Sequence, residues 1–331
     1  MAELFWQKCK ERLATLGYHI EEMNERKGPF AAMIAEITAS RAGEEAEKLI
    51  YKLPAANRSW EMELVFTLRE ELQPWLSYII EVFPDEPAAL LMKHTGEPYL
   101  LSDPLEPKDT DRRRDALKQV SAILSQLHLR TEQTAKQWGR TGRLRTYPYS
   151  REWADWSLQQ SERLSATENS PYSRGEVDTL RDIAERFYSN YSDSSLLCPP
   201  VLTHGDTHWG NVLIREGVLT LIDWEWACVS TPMRDVAILL QEEPEDDIAR
   251  AIVEHHIQLL MEGKYGASRE ALLHDFDAMM IDNALMMLGW EIELYFRGER
   301  SAVALKAAMT VLFRRILQHW NQYIDRRGYR V

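Results

Sequence analysis

Cysteine is scarce in this chain: Cys9, Cys198 and Cys228 stand far apart and are odd in number. That excludes a closed disulfide framework and offers no close metal-ligand spacing, so they read as reduced thiols of a cytoplasmic protein. Long apolar runs are also missing. No window approaches the roughly 20 apolar residues that a bilayer-crossing helix needs. The N-terminal Met-Ala-Glu-Leu-Phe-Trp-Gln-Lys-Cys-Lys-Glu-Arg has neither the basic start nor the unbroken apolar stretch of a secretory leader. A soluble, intracellular chain with no membrane partner is expected. Positive charge is in deficit, with 39 Lys and Arg against 52 Asp and Glu, a formal net charge of −13. Such a surface repels a phosphate backbone, which argues against nucleic acid and favours neutral or cationic small partners.

What the chain does have is a sizeable globular composition. Its 331 residues, 45% hydrophobic and 27% charged, are too many for one small core and suit two lobes. No internal repeat is present. Its most distinctive stretch is 201–226, Val-Leu-Thr-His-Gly-Asp-Thr-His-Trp-Gly-Asn-Val-Leu-Ile, a turn, then Leu-Thr-Leu-Ile-Asp-Trp-Glu-Trp. Residues 212–214 and 218–222 read as two apolar strands joined by a tight turn at Arg215-Glu216-Gly217. A hairpin returns the chain to its start, so Asp223 is expected near Asn211, with Asp206 five residues upstream. An amide oxygen and two carboxylates in that pattern suit a hard cation such as Mg²⁺ beside a base that orients a nucleophile.

In chain order, residues 2–16 place Leu4, Phe5, Leu13 and Leu16 among charges at helical spacing. Strands are expected over 20–24, 32–39 and 48–53, with Lys27-Gly28-Pro29-Phe30 breaking the first pair. Lys52 ends an otherwise apolar strand, and a helix is expected over 60–72. Strands over 75–82 and 88–92 follow. Over 109–129, Leu117, Val120, Ile123, Leu124 and Leu127 form one stripe of a long helix that packs His128 in the core. The stretch 130–150, with Arg140, Arg143 and Arg145, reads first as a solvated loop and second as a contact for an anionic substrate group. Helices are expected over 153–164 and 174–191, and 242–247 reads as an acidic solvated loop. Two late helices, 271–295 and 303–323, mix Met and aromatic residues with Asp275, Asp277, Asp282, Glu291 and Glu293. That mixture would suit an amine-bearing ligand.

The series Asp206, Asn211, Asp223 matches the protein-kinase catalytic loop: a base, a metal-binding Asn five residues on, and a later metal-binding Asp. Gly205 stands where protein kinases carry Arg, and Trp224-Glu225 where they carry Phe-Gly. In this form, His204-Gly-Asp-Thr-His-Trp-Gly-Asn211 followed by Ile222-Asp-Trp-Glu225 resembles the aminoglycoside phosphotransferase and choline kinase family of kinase-like enzymes.

The resemblance implies an α+β, two-lobed, protein-kinase-like fold. A small β-rich nucleotide-binding lobe would span 1–94, and a larger, mainly helical catalytic and acceptor lobe 95–331. It makes Asp206 the catalytic base, Asn211 and Asp223 the Mg²⁺ ligands, and Lys52 the contact to the ATP phosphates. Glu61 is the better partner for Lys52 and Glu63 the alternative. Leu90-Leu-Met-Lys-His-Thr-Gly96 resembles the segment that links the lobes, where the backbone of Lys93 and His94 would face adenine. Glu225 would reach the metal by strand alternation if the strand persists. Asp235, in Pro232-Met-Arg-Asp-Val-Ala237, would hold neighbouring loops by accepting backbone N–H groups. The loop over the phosphates, at Gly28, has one glycine and a proline instead of a glycine-rich run. The implied activity is transfer of the ATP γ-phosphoryl group to a hydroxyl of an aminoglycoside-, choline- or amino-alcohol-like acceptor. A non-catalytic binding or spore-coat-type protein is the alternative. Gly28 favours it; the intact Lys52, Asp206, Asn211 and Asp223 weigh against it.

Overall fold

The computed structural model describes residues 2–26, 31–54, 60–98, 110–148, 151–167, 170, 172–190, 196–241 and 243–326. The expected phosphate loop at Lys27, Gly28, Pro29 and Phe30 lies outside them, as does Glu242 of the acidic run. The chain forms two compact units, Met1–Glu106 with Trp209–Ala227, and Pro107–His208 with Cys228–Val331.

Period-two alternation builds the first unit. Strands β1 (Tyr18–Arg26), β2 (Ala31–Arg41), β3 (Glu47–Pro54), β4 (Ile79–Phe83) and β5 (Ala89–Lys93) form an antiparallel sheet in the order β1-β2-β3-β5-β4. On β3, Leu49, Tyr51 and Leu53 are buried in a cluster with Ala35, Ile37, Ala39 and Leu91 of the neighbouring strands and Phe5, Cys9 and Leu13 of α1 (Ala2–Thr15). Ile50 and Lys52 therefore take the opposite face. Arg12 of α1 is buried too, donating to the Tyr51 hydroxyl at 2.6 Å and to the carbonyls of Asp85 and Pro87. Helix α2 (Trp60–Leu68) follows β3. The expected helix to residue 72 stops early. The expected strand 75–82 is corrected at its start, where the short α3 (Gln73–Leu76) holds Trp75 and Leu76. Pro74 in its first turn presets the helical φ, which outweighs the strand-like apolar run.

A second, three-stranded sheet in this unit has β8 (Val212–Arg215) between β6 (Glu97–Pro98) and β9 (Val218–Leu221). Arg215 pairs with Val218, leaving Glu216 and Gly217 as a two-residue loop with φ of 53° and 81°. Both angles are positive, as the twist-matched hairpin turn requires. The Ile222 N–H bonds to the Asn211 carbonyl at 3.0 Å, so the hairpin closes with Asp223 one residue beyond Asn211's partner. The chain then leaves the strand. Asp223 is left-handed (φ 65°, ψ 68°) and Trp224–Trp226 form one 3-10 turn, so the strand does not persist to Glu225.

The second unit is mostly helical, with α4 (Thr110–Arg140), α5 (Glu152–Ser165), α6 (Arg174–Asn190), α7 (Met233–Leu239), α8 (Asp246–Glu262), α9 (Arg269–Phe296) and α10 (Ala302–Arg326). Strands β7 (Val201–Thr203) and β10 (Cys228–Ser230) form its antiparallel pair. The solvated loop expected from residue 130 is corrected: α4 runs on to Arg140, because Thr131, Ala135 and Trp138 continue its buried stripe. Beyond it, Thr146 bridges Val229 and extends the small sheet. Together the units give the expected α+β architecture.

Gly96, next to β6, has φ +109°, and a Cβ there would fall 2.0 Å from the Ile214 carbonyl oxygen of β8. Gly96→Ala should therefore destabilise the protein by more than the roughly 1–3 kcal/mol of backbone strain alone. Urea unfolding should show a lower midpoint at unchanged slope.

Candidate active site

The first unit contains a cavity of about 310 Å³. Ile34, Ile50 and Met92 of the large sheet and Leu213 and Ile222 of the hairpin give it apolar walls, and Lys52, Glu61, Asp223 and Glu225 give it charge. Lys93, His94, Thr95 and Gly96 form another part of the lining. A slot with apolar sides and a few convergent charged groups suits a ligand with a flat apolar part and an anionic part.

Lys52 is the centre of the charged part. Its Nζ lies 2.7 Å from Glu61 Oε2 and 2.9 Å from Asp223 Oδ1, with the side chain only 14% exposed. Burial alone would lower its pKa, but the two carboxylates hold the ammonium above the ordinary lysine value. Glu61 Oε1 also accepts the Trp224 N–H at 3.1 Å, which ties α2 to the turn that carries Asp223. Glu63 is exposed on another face of α2. The buried Tyr78 hydroxyl lies on the same cavity wall. Burial, with the nearby Glu61 and Asp223 carboxylates, holds its phenol well above the ordinary value.

Asp206 belongs to the second unit, on the loop after β7. The fully buried Asp235 of α7 shapes that loop: its Oδ2 accepts the His204 N–H at 2.9 Å and its Oδ1 the Gly205 N–H at 2.7 Å. The Asp235 carbonyl accepts the Thr207 hydroxyl at 2.7 Å. His128 Nε2 of α4 lies 3.0 Å from Asp235 Oδ2. Against burial, which would raise it, the His128 contact keeps the Asp235 carboxyl below its ordinary pKa. Arg234 adds hydrogen bonds to the Thr203 hydroxyl and the Gly205 carbonyl, and stacks over Tyr147 at 4.4 Å. Asp206 itself lies 3.6 Å from His208 Nε2 and is partly exposed.

Of the residues singled out in the sequence, the structure places Lys52, Glu61, Lys93, His94, Asp223 and Glu225 around one cavity. Asn211 is buried beside it, bonded through its carbonyl to Ile222. The N–H groups of Lys93 and His94 are used within the sheet, by the carbonyls of Tyr78 and Lys48. Glu225 reaches the cavity by the 3-10 turn instead of by alternation. Among the described residues no group of three or more His, Cys, Asp or Glu could hold a metal by itself. Asn211, Asp223 and Glu225 carry side-chain oxygens, the donor type that a hard cation takes.

The acids of α9 have partners within the second unit. Asp275 accepts the N–H groups of Leu197 and Cys198, Asp277 meets His319 and Arg326, and Glu291 pairs with Arg300. Asp282 accepts the hydroxyls of Tyr147 and Tyr188, at 2.7 and 2.5 Å. Sequence spacing gave no sign of Tyr78, Arg234 or the pairing of His128 with Asp235, since each depends on contacts between distant segments.

A family model described as the phosphotransferase enzyme family matches residues 54–269, more than half of the chain. A curated, uncharacterized protein of Mycoplasma pneumoniae is 29% identical over 76 residues, 23% of this chain; the match spans only 27% of that protein. Solved structures resemble the chain over nearly its whole length. The choline kinase LicA of Streptococcus pneumoniae matches with TM-score 0.54 and 15% identity, over 96% of this chain and 99% of that one. An amicoumacin kinase, solved in complex with AMP-PNP, Ca²⁺ and Ami, matches with TM-score 0.58 and 15% identity, over 95% and 93%. These likenesses establish the protein-kinase-like fold of small-molecule kinases.

The lowered pKa of Asp235 has a signed consequence. Its stabilising contribution is present above the ordinary aspartate value of 3.8 and is lost as pH falls through the lower folded value. Asp235→Asn should therefore cost on the order of 3–5 kcal/mol at neutral pH. The gap to wild type should narrow once the pH falls below 3.8. Urea unfolding at neutral pH and in this acid range measures it; a gap independent of pH would contradict the ionised carboxylate.

Proposed function

The chain belongs to the phosphotransferase enzyme family, and from that premise we propose that it transfers the γ-phosphoryl group of ATP to a hydroxyl of a small molecule. The acceptor class we favour is aminoglycoside-, choline- or amino-alcohol-like, neutral or cationic. The observation that carries this reading is the Lys52 ammonium held by Glu61 and Asp223 on the wall of an apolar-sided cavity. A structural ion pair alone needs no such slot beside it.

In this reading the nucleotide base lies against Ile34, Ile50, Met92, Leu213 and Ile222. Backbone of the 93–96 segment meets its edge. The Lys93 and His94 N–H groups are committed to the sheet, whereas the Thr95 N–H has no partner among the described residues. Lys52 neutralises phosphate charge, and Glu61 keeps its ammonium in place. Asn211, Asp223 and Glu225 would hold Mg²⁺, which when bound supplies further charge neutralisation on the phosphates. Asp206 accepts or orients the proton of the attacking hydroxyl, so that the oxygen meets the γ-phosphorus in line; such positioning is most of the catalysis in this reaction class. The Asp235 grip on residues 204 and 205 fixes the backbone that carries Asp206. We assign the nucleotide-binding lobe to the segment 1–94, with the 95–96 backbone and the hairpin residues of 209–227 completing the nucleotide site, and acceptor binding to the rest of 95–331. Three buried cysteines, none in a disulfide, support the cytoplasmic setting we propose.

The deciding experiment is ADP formation with a panel of aminoglycosides, choline, ethanolamine, amino-alcohols and sugars. Asp206→Ala should lower acceptor-dependent kcat by about 10²- to 10⁴-fold, the range for losing a general base, with nucleotide binding retained. Unchanged turnover in that variant would remove Asp206 from the chemistry. Asp223→Ala should instead abolish the thermal shift that Mg²⁺ and ATP give the wild type. A wild-type protein with no shift at millimolar nucleotide would favour a non-catalytic kinase-like role.

A further inference from the structure

Behind the Asp206 loop, the second unit buries a chain of hydrogen-bonding groups that the phosphoryl chemistry does not call for. It runs from Ser121 on α4 to His256 on α8, back to His128 on α4, and on to Asp235 on α7. His256 Nδ1 lies 3.2 Å from the Ser121 carbonyl and 3.0 Å from the Ser121 hydroxyl. His256 Nε2 lies 3.3 Å from His128 Nδ1, and His128 Nε2 lies 3.0 Å from Asp235 Oδ2. All four residues are fully buried.

Donors and acceptors along this chain can be counted. A backbone carbonyl only accepts, so the close Ser121 oxygen calls for a proton on His256 Nδ1. Burial, reinforced by the neighbouring His128, pushes the His256 pKa down to about 3, so its ring is neutral and its other nitrogen, Nε2, is an acceptor. His128 Nδ1 must then donate to it. At the other end Asp235 already accepts the N–H groups of His204 and Gly205, so it is an acceptor for His128 Nε2 as well. Both nitrogens of His128 thus carry protons. The charged and titratable groups facing this pair are Asp235 from α7, His204 from the loop after β7, and His255 and His256 from α8.

We propose that His256 is a positioning residue for the loop that carries Asp206: by accepting from His128 Nδ1 it keeps His128 a buried imidazolium, the counter-ion that lets Asp235 hold the loop as a carboxylate. The kinetic part of this rests on the reading of Asp206 given above; the protonation states do not. The competing arrangement moves the His256 proton from Nδ1 to Nε2 and removes the one on His128 Nδ1, leaving the His128 Nε2–H bonded to Asp235 as before. The Ser121 hydroxyl would donate to His256 Nδ1, His256 Nε2 would donate to His128, and His128 would be neutral. It leaves the Ser121 carbonyl facing a lone pair at 3.2 Å.

Two-bond ¹H–¹⁵N spectra of the whole protein, labelled at histidine nitrogens and assigned with His128→Gln and His256→Gln, distinguish the two at neutral pH. The expected result is a doubly protonated His128 and a His256 protonated at Nδ1 only. A His256 protonated at Nε2, or a His128 with one bare nitrogen, overturns the proposal. Kinetics add a second arm. His256→Leu removes the acceptor and should lower kcat by about tenfold or more while leaving the nucleotide KM unchanged; His256→Gln, whose amide oxygen can accept from His128, should recover most of it. Equal kcat in a folded His256→Leu protein and wild type counts against the proposal. If that variant fails to fold, the wild-type spectrum still decides. If the wild type shows no phosphoryl transfer, the functional reading fails while the spectrum continues to test the proton count.

Discussion

The charged half of the first unit depends on the ammonium of Lys52. A lysine within β3 is costly to bury unless its charge is met, and here two carboxylates meet it from α2 and from the turn after β9. Neither carboxylate would be comfortable there without it. Removing Lys52 would leave two carboxylates without their counter-ion, a change that typically costs about 3–5 kcal/mol, whereas removing either acid leaves the ammonium paired with the other. The same three residues tie strand, helix and hairpin together, so the stability of the unit and the arrangement of its cavity are one problem.

That dependence starts with alternation on β3. Leu49, Tyr51 and Leu53 must face the α1 side to complete the core, which leaves Ile50 and Lys52 no choice but the cavity side. Arg12 then closes the core from behind by binding the Tyr51 hydroxyl. A one-residue slip would expose the core residues and withdraw Lys52 together. Packing on one face of the sheet therefore specifies the chemistry on the other.

Much of this was legible in the sequence because it is periodic or local. The strands of the first sheet, the α4 stripe and the hairpin around Glu216-Gly217 are all short-range patterns. The spacing from Asp206 to Asp223 gave the motif, and the comparisons show the family that it resembles. Where the reading failed, a local rule met a stronger one. Pro74 turned an apolar strand-like run into helix, and Thr131, Ala135 and Trp138 carried α4 through a segment whose arginines and glycines suggested a loop. Glu225 came to the cavity although the strand ended, because the left-handed Asp223 starts a tight turn there. The partners of Asp235 were beyond reach, since His128 and the His204 backbone converge on it from segments with no shared period.

The two units solve the same physical problem in the same way. In the first, Glu61 uses one oxygen for the Lys52 cation and the other for the Trp224 N–H, next to Asp223. In the second, Asp235 takes His128 and the N–H groups of His204 and Gly205, next to Asp206. Each is a buried carboxylate that fixes the backbone beside a more exposed acid. The carboxylate can accept so many hydrogen bonds only while ionised, and it stays ionised in the interior only because a cation lies against it. An amide of the same shape would keep part of the hydrogen bonding but strand the cation; an apolar residue would strand both. Hence the acid that fixes the loop and its counter-ion belong to one device, and the more exposed acids Asp206 and Asp223 owe their fixed backbone to charges that are largely or wholly buried.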